Sequence, residues 1–151
     1  MKNLLLFAAA ACSLTFVACG DDDDGAFADC TNDTGYTIGG TTTCATGSYD
    51  VNFGPSISLE GTDGSDILLI VDSIAGGTFT TSIGADGTVT GFAAIITNAD
   101  DEDLVGISGT ISLELADGLV GGTFEATALN EDDITAGAVQ VSGAFSQLAA
   151  D

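Results

Sequence analysis

Acidic side chains carry most of the chemistry open to this chain. They stand as Asp72, the run Asp100-Asp101-Glu102-Asp103 and the run Glu131-Asp132-Asp133, with Asn98 and Asn130 as neutral oxygen donors beside the runs. A hard cation such as Ca²⁺ takes about six to eight oxygens, and converging acidic loops supply them. If the loops stay apart, the same acids form a solvated rim that keeps the domain soluble. An EF-hand is excluded, because no Asp-x-Asp-x-Asp-Gly loop closed by Glu occurs and Asp21 to Gly25 fails the spacing. Against 23 acidic residues there is one base, Lys2, and no His, giving a formal charge of −22. Nucleic acid and anionic lipid surfaces are therefore excluded as partners, since both need Lys and Arg. Without His, the Ser-His and Cys-His nucleophiles and ordinary zinc sites are missing too.

Two routes to catalysis remain: acidic loops holding a metal, and a pair of carboxylates acting as acid and base. Glu114 and Glu125 are the pair to consider, because a hairpin around Asp117-Gly118 puts both on one face. That register leaves them four residues out of step, about 13 Å along the strands. Glycosidases need roughly 5 to 9.5 Å, so the expectation is that the chain is not an enzyme. Tyr36 and Tyr49 are the only polar-tipped aromatics, too few for a sugar-stacking platform, and are read as strand residues at the edge of the core.

The elements that must position the acids read as β. A hydrophobic share of 45% and a mean hydropathy of +0.40 support a packed core, and 21 Gly with one Pro suit tight turns between strands. Asp-Gly, the strongest hairpin signal, occurs at 63-64, 86-87 and 117-118. Centred on 117-118, the pairing sets Leu115 against Val120, Ile111 against Phe124 and Ile107 against Ala128, with Ser112, Thr110, Thr123 and Glu125 on the other face. Around 63-64 the same construction pairs Leu59 with Leu68 and Ile57 with Ile70; around 86-87 it opposes Phe79 to Ala94. Further strands are expected over 36–46, 49–53 and 138–148. Gly76-Gly77-Thr78-Phe79 recurs as Gly121-Gly122-Thr123-Phe124, a recurrence that common strand-opening residues explain without duplication. The fold class expected is all-β, a single antiparallel meander closing into a β-sandwich or a partly closed barrel. In a simple meander the three Asp-Gly turns share one end, and Asp72 with both acidic runs collects at the other.

The N-terminus reads as an address. Met1-Lys2-Asn3 is a positive head, Leu4 to Val17 is apolar, and Ala18-Cys19 closes the stretch, which is too short to span a bilayer. Phe16-Val17-Ala18-Cys19 resembles the lipobox of bacterial lipoproteins, with Phe16 where Leu is usual. The resemblance implies a signal peptide over 1–18, lipidation of Cys19 and anchoring to a membrane through that lipid. Asp21 to Asp24 form a solvated spacer, and an acidic run in this place resembles the export signal of surface lipoproteins of the Bacteroidota. This implies display at the outer membrane, on the cell surface or alternatively on the periplasmic face. With Cys12 removed and Cys19 acylated, Cys30 and Cys44 remain as an even pair in an oxidising compartment, and a disulfide between them is expected. Residues 109–148 also resemble the C-terminal half of small β-rich lipoprotein domains of unknown function.

The expected organisation is a signal peptide (1–18), a lipidated Cys with an acidic tether (19–29) and a β domain (30–149). The expected role is non-enzymatic binding or envelope structure toward a protein or glycan partner, with no cofactor. The alternative is a Ca²⁺-dependent adhesion or ligand-binding module built on the acidic loops.

Overall fold

A computed structural model describes residues 26–52, 54–84 and 88–151. The signal peptide, Cys19, the acidic run, Phe53 and the Asp86-Gly87 turn lie outside these residues. The described strands are β1 (Gly35–Ile38), β2 (Thr41–Asp50), β3 (Ser56–Gly61), β4 (Asp66–Val71), β5 (Gly77–Thr80), β6 (Ser82–Ile83), β7 (Val89–Thr90), β8 (Phe92–Thr97), β9 (Asp103–Ala116), β10 (Leu119–Asn130) and β11 (Val139–Leu148). Their pairing runs β10-β11-β1-β2-β3-β4-β8-β9, and β9 pairs back with β10, so eight antiparallel strands close into a barrel. At this strand number side chains alone can fill the interior. It is filled by Tyr36, Phe92, Phe124 and Phe145 with aliphatics from every wall strand, among them Leu59, Leu69, Ile96 and Val141.

The hairpin around Asp117-Gly118 forms in the register that hydrophobic alternation dictates, with Leu115 opposite Val120 and Ile111 opposite Phe124. Asp117 (φ 53°) and Gly118 (φ 80°) both take the positive φ that a type I′ turn requires. The register breaks further up. Thr127 faces Ser108 but Ala128 faces Gly106, so Ile107 is the extra residue of a bulge and not the partner of Ala128. The physical reason lies in the core. Leu104 is buried at an even position and Ile111 and Leu113 at odd ones, and one inserted residue turns both sets inward.

Around Asp63-Gly64 the expected pairing is off by one: Leu59 faces Ile67 and Ile57 faces Leu69. Gly61 N–H donates to Ser65 O at 2.7 Å and so closes the loop 62–65 around three residues, with Gly64 at φ 88° after a bond from its own N–H to Gly61 O, the turn-plus-bulge form of a longer hairpin. Asp63 drives this choice, because its carboxylate accepts from Ser65 N at 3.0 Å and from Ser65 Oγ. The slip turns Leu68 and Ile70 outward.

Phe79 does not face Ala94. β5 pairs with residues 110–113 of β9, while β8 pairs with 103–105 of the same edge of β9, so together they fill one place in the wall. The short β6-β7 hairpin is inserted between them. From β4 to β9 the wall is thus crossed once, not twice, and every later connection changes ends. Residues 36–46 likewise divide at a turn between β1 and β2, and of the strand expected over 49–53, Tyr49 and Asp50 belong to β2. The Gly-Gly-Thr-Phe recurrence has a place in this wall: both copies flank β9 in one register, Thr78 and Thr123 beside Ser112, Phe79 and Phe124 beside Ile111.

Ala26 to Asp29, assigned by sequence to the tether, folds onto the outer wall. Phe27 is buried there, and a Cβ on Gly35 would lie 2.6 Å from its ring. The sulfurs of Cys30 and Cys44 are bonded, holding this segment to β2.

Candidate functional site

Because of the single crossing between β4 and β9, one end of the barrel carries the Gly39-Gly40 turn, the loop 62–65, the loop 98–102 and the loop 131–138. Asp100 to Asp103 and Glu131 to Asp133 therefore share an end, as expected, and the two loops touch through Glu131 N–H on Asp103 O at 3.0 Å. Asp72 does not join them. It follows β4 at the opposite end of that strand, where its Oδ2 accepts from Gly91 N at 3.1 Å and its N–H donates to Gly91 O, clipping the β6-β7 insertion. Asp63-Gly64 sits with the acidic loops and Asp117-Gly118 at the far end, so the Asp-Gly turns are not segregated from the acids.

Each acidic loop is held by its own Asn. Asn98 Oδ1 accepts from Asp100 N at 2.9 Å and Glu102 N at 3.0 Å, while its Nδ2 donates to Glu102 Oε2 at 2.8 Å. Asn130 Oδ1 accepts from Asp132 N and Asp133 N, both at 2.9 Å. The amide oxygens expected to serve a cation are thus turned to backbone donors. Asp103 accepts from Thr97 Oγ1 at 3.0 Å, and Asp133 from Thr135 N and Oγ1. Those Thr135 bonds hold the Asp133 carboxyl below the ordinary carboxylate range. Among the described residues no group of three or more acidic or Cys side chains is arranged to hold a metal ion.

The same end holds a hollow of about 270 Å³, lined by Ile38, Thr41, Thr43, Asp63, Ser65, Asn98, Ala99 and Asp100. Tyr36 is fully buried, not at the core edge, and its hydroxyl donates to Ser65 O at 2.7 Å and lies 2.8 Å from Ser65 Oγ. Asp63 closes the network, accepting from Thr43 Oγ1 at 2.6 Å as well as from Ser65. Burial pushes the Tyr36 hydroxyl above its ordinary pKa; the Ser65 bond opposes this and the charges of Asp63 and Asp66 add to it. Bonds from Ser65 and Thr43 lower that of Asp63. Tyr49 at the opposite end donates to Gly118 O at 3.0 Å. Both tyrosines therefore tie strands across the barrel ends, and Glu114 and Glu125 keep the separation expected, facing Gly121 and Thr110.

Asp63, Ser65 and Thr43 were not among the expected site residues. Asp63-Gly64-Ser65 does carry a signal, since an Asp two residues before a Ser favours a side-chain-capped turn over a bare two-residue hairpin. Comparison with family models, with curated proteins and with solved structures gives no match for this chain.

Proposed function

We propose that this chain is an exported, lipid-anchored envelope protein whose β-barrel acts by binding a partner on its outside. The observation that carries the reading is the filled interior: the inward residues of all eight wall strands pack on one another, which leaves the wall and the ends as contact surface. The disulfide supports an oxidising compartment, and the apolar stretch ending at Ala18-Cys19 followed by Asp21 to Asp24 supports export, lipidation at Cys19 and display on the cell surface. The acidic end serves as a solvated rim, since its amide oxygens and several of its carboxylates are taken up in bonds within and between the loops.

Mass spectrometry of the protein extracted from membranes tests the anchor. A diacylglyceryl-modified Cys19 as first residue is expected, and an unacylated chain retaining 1–18 overturns it. Protease treatment of intact cells tests display, with digestion expected; full protection would place the domain on the periplasmic face.

A further inference from the structure

The barrel wall has two different outsides. Over β5, the second half of β9, most of β10, β11, β1 and β2 its outward residues are mainly Thr and Ser, with cross-strand pairs such as Thr37 to Thr42 at 3.0 Å and Thr78 to Ser112 at 3.0 Å, apart from Leu115 and Leu119 at the far end and the Phe27 segment over Gly35. Over β4, β8 and the first half of β9 it is aliphatic. Leu68, Ile95, Val105 and Leu129 stand in one cross-strand row, and Ile70 beside Ala93 forms the next. Ile70, Ile95, Val105 and the bulged Ile107 are 41, 43, 39 and 40% exposed. Strand formation does not require this, because Thr serves the outward positions elsewhere at similar β-propensity. A contiguous aliphatic patch with a polar rim marks a contact surface.

The rim indicates what covers it. One row nearer the acidic end, Glu60 faces Asp66, Asp66 faces Thr97 and Thr97 faces Asp103, with Glu131 bonded to Asp103 by its backbone. Like charges directly opposite one another destabilise a sheet, and no base occurs after Lys2 to offset them. A second copy would bring more carboxylates and no cation. Anionic lipid would be repelled likewise. We infer that this face docks a segment of a partner protein that presents aliphatic side chains to the Leu68-Ile95-Val105 row and Lys or Arg to the Glu60-Asp66-Asp103 row. The rows lie two residues apart along the strands, roughly 7 Å, so the bases follow the aliphatics by about one helical turn or two strand residues. The inference rests on the reading of the barrel as an external binder and names the partner's chemistry.

The test uses the full-length protein in detergent and a fluorescent synthetic peptide with a Leu-Val block ended by Lys residues, against a control in which Glu replaces Lys. Binding of the Lys peptide alone is expected. The variants I95T/V105T and D66N/D103N should each weaken it by about tenfold, in line with truncation of a central anchor or a charge partner, and only the second should flatten its salt dependence. Thermal melts verify that both variants fold. Binding that survives I95T/V105T would reduce the interaction to charge alone and overturn the proposal, as would no binding to the wild type. It is also overturned by a dimer that dissociates in I95T/V105T, or by attachment to phosphatidylcholine vesicles that this variant abolishes. A photo-crosslinker placed in cells at position 95 or at position 142 separates this inference from the broader reading. A protein captured only from 142 removes the aliphatic face and leaves external binding standing; capture from neither removes both.

Discussion

Asp63 shows how one side chain sets a register. Its two oxygens take the Ser65 N–H, the Ser65 hydroxyl and the Thr43 hydroxyl, and through Ser65 they reach the buried Tyr36. Asp63→Asn replaces an acceptor-only group by one that must also donate, with an expected cost of about 1 kcal/mol in urea unfolding at neutral pH. Its carboxyl pKa is lowered in the folded state, so the stability it contributes is present above the unfolded value and lost as pH falls through the folded one. The gap between wild type and Asp63→Asn should therefore narrow as pH drops below about 4, the unfolded pKa of Asp. A gap that stays constant down to the acid transition would detach the effect from the charge.

At the scale of elements, the outward row of acids and the close approach of strands make separate predictions. Glu60 and Asp66 are both exposed and face one another without a cation. Asp66→Lys creates an opposite-charge pair and should stabilise the fold by about 0.2 to 1 kcal/mol in chemical denaturation, while weakening the docking proposed above. In β10, Gly122 lies beside Leu113, and a Cβ there would come 2.3 Å from Ser112 O and 3.1 Å from both Leu113 and Phe145. Gly122→Ala should cost about 1 to 3 kcal/mol, because the nearest neighbour is backbone and cannot turn aside. An unchanged melting temperature would mean that β9 and β10 can separate locally. This contact also accounts for one Gly of the recurrent Gly-Gly-Thr-Phe, which the sequence explains only as strand-opening composition.

For the whole molecule, two global terms oppose one another. The Cys30–Cys44 bond closes a loop of 14 residues' separation, and in the chain-entropy model such a loop contributes about 3 kcal/mol. The double variant C30A/C44A should lose about that much in equilibrium unfolding and release the Phe27 segment from the wall, which hydrogen exchange at 27–34 would register. Against this stands a charge of −22 with a single base in the full chain. Repulsion among surface carboxylates is screened over about 8 Å at physiological ionic strength, so the thermal midpoint should rise as NaCl is added from low salt. A flat response would show the acids already spaced beyond mutual influence.

Composition, alternation and turn residues were enough for the β class, the antiparallel sense and the register around Asp117-Gly118 as far as Thr127, because each depends on contacts near in sequence, whereas the pairing of Cys30 with Cys44 was expected only through the resemblance to a lipoprotein signal that sets Cys12 and Cys19 aside. The ends of the barrel and its two outer faces were decided only by tertiary structure. Ile67 to Val71 is apolar at every position, so alternation could not choose which side faces in; the Asp63 loop chose. Between Val71 and Phe92 the sequence suits either two full strands or one strand with an inserted hairpin. The closed wall admits only one there, since β9 has a single free edge once β10 covers the other. That choice moved Asp72 away from the other acids and Asp63 toward them, and it is a property of the ring of strands that no local pattern contains.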